Sequence, residues 1–186
     1  MGKLFKMNWW RLFRIKSFVI FHHYTSHMGV YSWKDGDDTY QVIYEINTTV
    51  TWYKNGEVHR EDKPAKYRLG SDEQYWYMNG KRHRKDGPAV IEFEFEIWYQ
   101  DGKKHRDDGP AAIHINGQNE WYVNGKIHRL DGPAIVRNDG LYQWWVNGKH
   151  VSQKMYDWAK DRDIDLMNLT DEDKMIIQLE WGNYEK

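Results

Sequence analysis

Cysteine is absent from this chain of 186 residues. The absence excludes a disulfide framework, a cysteine nucleophile and a thiolate metal site, and it is typical of a reducing compartment, so we expect a cytoplasmic protein. Long hydrophobic runs are also missing. The mean hydropathy is −0.95 and 30% of the residues are charged, which excludes a protein with several membrane-spanning helices.

Proline is scarce, and its four copies are evenly spaced at Pro64, Pro88, Pro110 and Pro133. A fixed period of this length is the signature of a repeat protein. Aligning the chain on these prolines gives four copies of the consensus W-Y-x-N-G-K-x-H-R-x-D-G-P-A, which begin at Trp52, Trp76, Trp98 and Trp121. A fifth, truncated copy begins at Trp144.

Each repeat carries the signature of a β-hairpin. Its central dipeptide is one that accepts positive φ at both turn positions of a type I′ hairpin, and aromatic residues flank it. These dipeptides are Asn55-Gly56, Asn79-Gly80, Asp101-Gly102, Asn124-Gly125 and Asn147-Gly148. Further glycine turns separate most units, whereas residues 90–97 alternate apolar and acidic residues without glycine and are predicted to turn without it. Proline cannot donate to a strand ladder, so we expect each proline at a bulge or edge.

A two-residue turn determines which side chains share a face. In the unit from Trp121, we expect Tyr122 opposite Ile127 and Trp121 opposite His128. The tryptophan face then carries Trp52, Trp76, Trp98 and Trp121 with His59, His83, His105 and His128. The tyrosine face carries Tyr53, Tyr77, Tyr99, Tyr122 and Trp145. If the units form one continuous meander, each Trp lies between two strands that bear His, about 4.8 Å away on either side.

The repeated W-x-N-G-K-x-H hairpin resembles the MORN repeat, and the resemblance covers roughly residues 50–151. It is closer to MORN-type variants in bacterial antitoxin proteins and in accessory proteins of tailed phages and large DNA viruses. The resemblance implies a single-layer meandering sheet, a role in scaffolding, and a viral accessory protein of the host cytoplasm that acts on a host factor. It supplies no catalytic residues. At Arg84 and Asp86 the chain departs from the glycines of the usual pattern, so lipid binding is not carried over.

The period changes near residue 152, which predicts a helical cap on the last strand. Ser152 is placed to cap one helix, and Thr170 begins a second with a capping box that Gly182 ends. Met175, Ile176, Ile177 and Leu179 are expected to supply the apolar face of that second helix. The chain is thus predicted to be mainly β, an antiparallel single-layer meander of about five hairpin repeats. Its divisions are a basic aromatic element at residues 1–30, the repeats at 31–151 and a two-helix cap at 152–186.

The first 34 residues carry six lysines and arginines and no acidic residue, whereas the other 152 carry 21 basic and 28 acidic residues. Two interpretations stay open. One is a basic aromatic segment that contacts a membrane surface through residues 1–21, or nucleic acid. The other is a structural helix or strand that covers the first edge of the sheet. We favour the second, because a helical projection spreads the basic residues around the whole circumference.

The His-Arg-x-Asp segment also allows an enzyme interpretation, with a histidine base and an arginine that binds an anion. A catalytic site is used once, whereas this segment occurs in four units, so we favour a structural role and expect no enzyme. In that role the pairs Arg84–Asp86, Arg106–Asp108 and Arg129–Asp131 are expected across the bend. Equivalent histidines two strands apart are separated by about 9.6 Å, too far to share a metal. We expect no metal and no cofactor.

The tyrosine face is the expected site of function. The two termini are too short to cover both faces of the sheet, and exposed aromatic surface with Arg82 and Lys104 is typical of protein interfaces. We therefore predict a scaffold that binds a protein partner through this face. A small ligand such as a nucleotide, or a nucleic acid stacked on the aromatic rings, is the alternative.

Overall fold

The computed structural model describes residues 23–25, 28–45 and 49–184. The chain is mainly β and forms a long antiparallel meander of hairpins, followed by two C-terminal helices. The predicted fold class is confirmed. Residues 1–22 lie outside the described residues, so both interpretations of the basic segment remain predictions.

The sheet begins with the short β1 (His23–Thr25), which is followed by the three longest strands of the described residues. These are β2 (Met28–Asp35), β3 (Asp38–Glu45) and β4 (Thr49–Lys54), with the short β5 (Glu57–Val58) paired to β4. Strands β2 and β3 pair along their whole length, which brings Trp33 opposite Tyr40. The ring of Trp33 stacks on Tyr40 with centroids 5.4 Å apart and meets Trp52 edge-on at 6.1 Å. This aromatic cluster joins the first hairpin to the first repeat.

The repeats add short strands in pairs. They are β6 (Lys66–Arg68), β7 (Gln74–Tyr75), β8 (Tyr77–Met78), β9 (Lys81–Arg82), β10 (Val90–Glu92), β11 (Phe95–Ile97), β12 (Tyr99–Gln100), β13 (Lys103–Lys104), β14 (Ala112–His114), β15 (Asn119–Glu120), β16 (Tyr122–Val123), β17 (Lys126–Ile127), β18 (Ile135–Val136), β19 (Tyr142–Gln143), β20 (Trp145–Val146) and β21 (Lys149–His150). The order β1-β2-β3-β4-β6-β7-β10-β11-β14-β15-β18-β19 forms the main sheet. The second, third and fourth units each supply two hairpins, of which one belongs to that sheet, whereas in the first unit β5 also pairs with β4 of the sheet.

The first hairpin of each unit along the chain is the one that contains the Asn-Gly or Asp-Gly dipeptide, and it turns there. Both turn residues have positive φ, from 48° to 52° at the first position and from 72° to 84° at the second. These values confirm the predicted type I′ turns. Neighbouring hairpins are joined by backbone hydrogen bonds, as where Gly102 N–H donates to Arg82 O at 2.9 Å and Arg84 N–H donates to Tyr99 O at 3.3 Å. The hairpins thus form a second row beside the main sheet.

The register within each Asn-Gly hairpin is the predicted one. Tyr122 pairs with Ile127, and His128 N–H donates to Trp121 O at 3.1 Å. The expectation that each Trp lies between two strands that bear His is wrong. Trp121 N–H donates instead to Ala134 O of its own unit, at 2.9 Å. The reason is that the residues between His and Pro leave the sheet as a loop, and the chain re-enters it at the alanine.

The segment without glycine also turns as predicted. Strands β10 and β11 pair from Val90 opposite Ile97 to Glu92 opposite Phe95, so Phe93 and Glu94 form a two-residue turn. Neither residue has positive φ, so this turn requires no glycine. We call the turns of the main-sheet hairpins the outer turns. Ile115 N–H, in the outer turn of the third unit, donates to Glu94 O at 2.8 Å. The outer turns of the second and third units are therefore in direct contact.

The last repeat ends against two helices, α1 (Ser152–Lys160) and α2 (Asp171–Trp181). Their core contains Trp144, Val146, Val151, Met155, Ala159, Leu166, Ile177 and Trp181, all buried. The Thr170 capping box forms with Asp173, and α2 ends before Gly182 as predicted. The predicted Ser152 cap is wrong, because Ser152 Oγ accepts from Trp144 N–H at 2.9 Å.

The predicted apolar face of α2 is correct only at its centre. Ile177 is fully buried, whereas Met175 is 62% and Leu179 is 74% exposed. The helix turns Ile177 and Trp181 toward the last repeat, four residues apart on one face. Met175 and Leu179, also four residues apart, lie on the outer face.

The fifth unit, which begins at Trp144, ends the array and has different residues at two positions of the repeat. Aligned with the unit from Trp121, it has Val151 where that unit has His128 and Ser152 where that unit has Arg129. Val151 is buried in the core beneath the helices. The unit therefore lacks the histidine and arginine that each full unit contributes, and the helices cover its tryptophan instead.

This cap predicts unequal effects of two truncations in one helix. Ile177→Ala should lower the free energy of unfolding by about 2–5 kcal/mol, because it leaves a cavity in the core. Leu179→Ala is the matched control and should change it by less than about 0.5 kcal/mol, because its side chain is exposed. Urea unfolding followed by tryptophan fluorescence measures both. Equal losses for the two variants would contradict the packing of α2.

Candidate functional site

The tryptophan face is covered by the repeats themselves. In each full unit the arginine that follows His lies flat on the indole of the same unit. The distances from its guanidinium carbon to the ring centroid are 4.1 Å for Arg60 on Trp52, 3.8 Å for Arg84 on Trp76, 4.2 Å for Arg106 on Trp98 and 4.1 Å for Arg129 on Trp121. Such a stack is worth about 0.5–2 kcal/mol depending on its desolvation. Sequence reasoning missed it, although the Arg recurs at a constant offset from every Trp.

In three units the backbone of a glycine lies so close to the stacked guanidinium that an added Cβ would crowd it. At Gly109 and Gly132, a Cβ atom would lie 3.2 Å from Arg106 Cζ and 2.8 Å from Arg129 Cζ, respectively. Neither glycine has positive φ, so close approach explains the residue type. The guanidinium is held between an indole and a backbone. The first unit has Lys63 at this position.

The prolines complete this loop. Each lies just before a fully buried alanine, in the loop and not at the predicted bulge or edge. Its carbonyl accepts a hydrogen bond from the stacked arginine, at 3.3 Å for Pro64, 3.1 Å for Pro88, 3.4 Å for Pro110 and 3.3 Å for Pro133. The even spacing of the prolines thus reflects a loop that closes over each Trp.

Two of the three predicted Arg–Asp pairs are present. Arg106 Nε lies 2.7 Å from Asp108 Oδ1, and the Arg129–Asp131 pair has the same distance. The hydrogen bond and charge of Arg106 lower the pKa of Asp108. The Arg84–Asp86 prediction is wrong, since these two described residues form no ion pair.

The histidines join consecutive units. In every full unit the Nδ1 atom accepts the backbone N–H of the first turn residue of the next unit. The pairs are His59 with Asn79 at 3.1 Å, His83 with Asp101 at 3.2 Å, His105 with Asn124 at 3.1 Å and His128 with Asn147 at 3.1 Å. An Nδ1 acceptor requires the neutral ring, with its proton on Nε2. The His and Arg of the repeated segment are therefore both engaged in holding the array together.

Metal-binding geometry is not found in the described part of the chain, where no three His, Asp or Glu side chains cluster as ligands. Within the same residues, no helix has the length and apolar character that a membrane crossing requires.

On the tyrosine face, each hairpin places an aromatic ring on its first strand and another side chain opposite it on its second strand. Pairing within the hairpins sets Tyr77 opposite Arg82 and Tyr99 opposite Lys104. Arg82 also reaches the next unit, so that its Nε donates to Tyr77 Oη and its Nη1 to Tyr99 Oη, both at 3.3 Å. Lys104 Nζ lies 4.6 Å from the centroid of the Tyr122 ring. The structure thus brings together Tyr77, Tyr99, Tyr122, Arg82 and Lys104 as one row.

The row ends differently on its two sides. At the C-terminal side, Trp145 packs on His150 with ring centroids 4.9 Å apart. At the N-terminal side, a cleft of about 240 Å³ is lined by Tyr53, Tyr77, Val58, Lys66, Thr49, Thr51 and Glu45. The five aromatic residues of the face are all half-buried. Each therefore keeps part of its surface in contact with solvent.

Glu120 ties the main sheet to this row and was not found from the sequence. Its Oε2 accepts from Tyr122 Oη at 2.9 Å and lies 3.9 Å from Lys104 Nζ. Burial and the charge of Glu120 raise the pKa of Tyr122. Burial alone would lower the pKa of Arg82, but the hydrogen bonds that Arg82 donates to Tyr77 and Tyr99 raise it overall. The row therefore carries a positive charge at Arg82, whereas the charge of Lys104 lies near the carboxylate of Glu120.

Comparison with protein-family models, with curated proteins and with solved structures gives no match. The argument for function therefore depends on the geometry of the two faces.

The glycine–arginine contact predicts a position-dependent effect of an added methyl group. Gly132→Ala should lower the free energy of unfolding by about 1–3 kcal/mol, because the Cβ would displace Arg129 from Trp121. Lys63→Ala, at the equivalent position of the first unit, is the control and should cost less than about 0.5 kcal/mol. Chemical denaturation gives both values. A neutral Gly132→Ala would show that the stack tolerates displacement.

The His128 hydrogen bond predicts a loss of stability in acid. Burial lowers the pKa of His128 below its ordinary value of 6.5, so the unfolded chain binds the proton more readily than the folded one. The contribution is complete above pH 6.5 and is lost as the pH falls through the lower pKa of the folded state. Melting temperatures of the protein and of His128→Gln, from about pH 8 to about pH 5, test it.

We expect the protein to lose more stability than His128→Gln over that range. His150→Gln, which changes a histidine outside the inter-unit bonds, is the control and should follow the parent protein. Parallel pH profiles for the protein and His128→Gln would refute the assignment.

Proposed function

We propose that the chain is a non-enzymatic repeat scaffold that binds a protein partner through its tyrosine face. The observation that carries the proposal is the asymmetry of the two faces. On one face every full unit places its own arginine over the ring of its tryptophan. On the opposite face a cation lies over two of the five rings, those of Tyr99 and Tyr122, and all five rings are half-buried in one row.

The composition of the row fits a protein interface. Tyr, Trp and Arg are the residues that most often dominate binding energy, and they do so where rings can be desolvated without leaving polar groups unpaired. Tyr77 and Tyr99 accept hydrogen bonds from Arg82. These two hydrogen bonds hold the guanidinium beside the rings, and a partner that covers it would have to supply acceptors for its remaining N–H groups.

Both ends of the hairpin row are occupied by other parts of the chain, which favours binding of a partner along the face of the row over binding at its ends. The fifth unit replaces the linking histidine by Val151 and is covered by two helices. At the other end Thr39 and Asn55 exchange hydrogen bonds, with Asn55 N–H donating to Thr39 O at 2.6 Å and Thr39 N–H donating to Asn55 Oδ1 at 2.7 Å. Both end units of the hairpin row thus meet an element that is not a repeat.

The biological setting that we propose follows from the MORN-type resemblance of residues 50–151. It is that of an accessory protein of a phage or virus that acts on a host factor in the cytoplasm. A scaffold of this kind would need no cofactor.

An alternative partner is an anionic ligand such as a nucleotide or a single-stranded nucleic acid. Cations beside aromatic rings, as in Arg82 with Tyr99 at 5.3 Å, favour stacking of bases near phosphates. The net negative charge of the chain beyond its first 34 residues opposes long polyanions.

The proposal predicts that three substitutions abolish partner capture. The tagged protein should retain a discrete partner from nuclease-treated host lysate, and Tyr77→Ser, Tyr99→Ser and Tyr122→Ser combined should lose it while keeping the circular dichroism of the parent. The loss is expected because the variant removes three rings from the centre of the interface. Quantitative mass spectrometry of the captured proteins is the measurement.

The control changes three exposed apolar residues of the outer turns, Phe93→Ser, Ile115→Ser and Leu141→Ser, and should leave capture unchanged. Retention of the partner by the tyrosine variant would mean that the interface lies elsewhere. Disappearance of the partner on nuclease treatment alone would favour the nucleic-acid alternative.

A further inference from the structure

We propose that the tyrosine face recognises a proline-rich segment in the polyproline II conformation, with an acidic side chain at the residue that meets Arg82. The inference rests on the proposed function and specifies the chemistry of the partner. It follows from the spacing of the row, from the hydroxyl groups that the row presents and from its charge.

The spacing of the row matches one conformation of a partner chain. Equivalent tyrosines of neighbouring hairpins are two strands apart, and the hairpins are joined by backbone hydrogen bonds, so the step is about 9.6 Å. A polyproline II helix has three residues per turn and rises about 3.1 Å per residue, which is about 9.3 Å per turn. The mismatch is about 0.3 Å per unit, and it accumulates to about 1 Å over the four steps from Tyr53 to Trp145.

The other regular conformations fit less well. Two turns of an α-helix advance about 10.8 Å, so a partner helix would move out of register by about 5 Å over the same four steps. An extended strand returns to the same face every two residues, after about 6.7 Å. The periodic row therefore selects a repeat of three residues in the polyproline II conformation.

The hydroxyl groups of the row suit a backbone that has no internal hydrogen bonds. Tyr77 Oη and Tyr99 Oη both accept from Arg82, so each phenol keeps its own O–H as a donor. The two donors are one unit apart. The carbonyls of a polyproline II segment are free acceptors and recur at every third residue on the same side. One segment can thus accept from Tyr77 at one residue and from Tyr99 three residues later.

The rings of the row provide the apolar contact. Aromatic-lined grooves are the common binding sites for proline-rich segments, since the segment is already extended and loses little conformational entropy on binding. Tyr99 is flanked by Arg82 and Tyr122 by Lys104. These two cations lie between successive rings, and the rings themselves stay half-buried. The solvent-accessible part of each ring is the surface on which a proline of the segment would pack.

The charge of the row specifies one residue of the segment. Within the described part of the chain, Arg82 forms no ion pair, and its side chain donates hydrogen bonds to two phenols. Lys104, at the equivalent position of the next unit, is only 3.9 Å from Glu120. A carboxylate of the partner would meet Arg82, whereas the equivalent positions of the first and fourth units are the apolar Val58 and Ile127. The complementary segment therefore carries one carboxylate facing Arg82, and repeated Pro-Pro-Glu offers that carboxylate in every register.

The experiment is a calorimetric titration of the full chain with three synthetic peptides of equal length. Four copies of Pro-Pro-Glu supply the conformation and the charge, Gly-Gly-Glu keeps the charge without the conformation, and Pro-Pro-Lys keeps the conformation with the opposite charge. We expect the Pro-Pro-Glu peptide to bind at least tenfold more tightly than either of the others.

Two variants locate the binding. Tyr77→Phe combined with Tyr99→Phe keeps the rings and removes both donors, and should weaken binding of the Pro-Pro-Glu peptide about tenfold. Tyr67→Phe is the control, because Tyr67 pairs with Val50 on the opposite face, and it should bind like the parent. Arg82→Gln should reduce the preference for Pro-Pro-Glu over Pro-Pro-Lys.

The contrary outcomes separate this inference from the proposed function. Equal binding of the proline and glycine peptides, or unchanged binding to the Phe variant, would overturn the polyproline assignment. The protein interface would still stand if the triple Tyr→Ser variant lost its captured partner. Tighter binding of a thymidine oligonucleotide than of the Pro-Pro-Glu peptide, lost in the same Ser variant, would overturn it in favour of nucleic acid.

Discussion

The rest of the structure depends on the stacking of one arginine on the tryptophan of each full unit. Arg84 lies 3.8 Å from the centre of the Trp76 ring and donates to the Pro88 carbonyl at 3.1 Å. The loop from His to Pro is therefore fastened over the indole, and the chain re-enters the sheet at a buried alanine. Because this contact recurs, the repeats themselves place a cation over each tryptophan of one face. The proposed function uses the opposite face.

The same loop begins at the histidine that joins one unit to the next. His Nδ1 accepts the N–H of the following turn, as in His105 with Asn124 at 3.1 Å, so closing a unit also positions its neighbour. The array extends only while His and Arg are both present. Where Val151 and Ser152 replace them, the chain forms α1 and covers Trp144 with apolar side chains. Stability and length are thus set by the same two positions of the repeat.

Much of this could be predicted from the sequence, because turn type and strand register are local properties. The Asn-Gly turns, the opposition of Trp121 and His128 and the Thr170 capping box all depend on residues close in the chain. The continuous Trp–His ladder failed because it required a contact between units, which the loop before Ala134 prevents. The stack of Arg on Trp lies within one unit and was missed because it forms only when the loop after His folds back over the indole. The contact of Glu120 with Lys104 was missed because it joins two units.

The central claim is that each arginine covers the tryptophan of its own unit and that the partner binds the tyrosine face. Hydroxyl-radical footprinting of the protein, free and with its captured partner, tests it most directly. The account predicts that oxidation of Tyr77, Tyr99 and Tyr122 falls when the partner binds, while Trp76, Trp98 and Trp121 keep the same oxidation rates in both states. Protection of the tryptophans with unchanged tyrosines would contradict it.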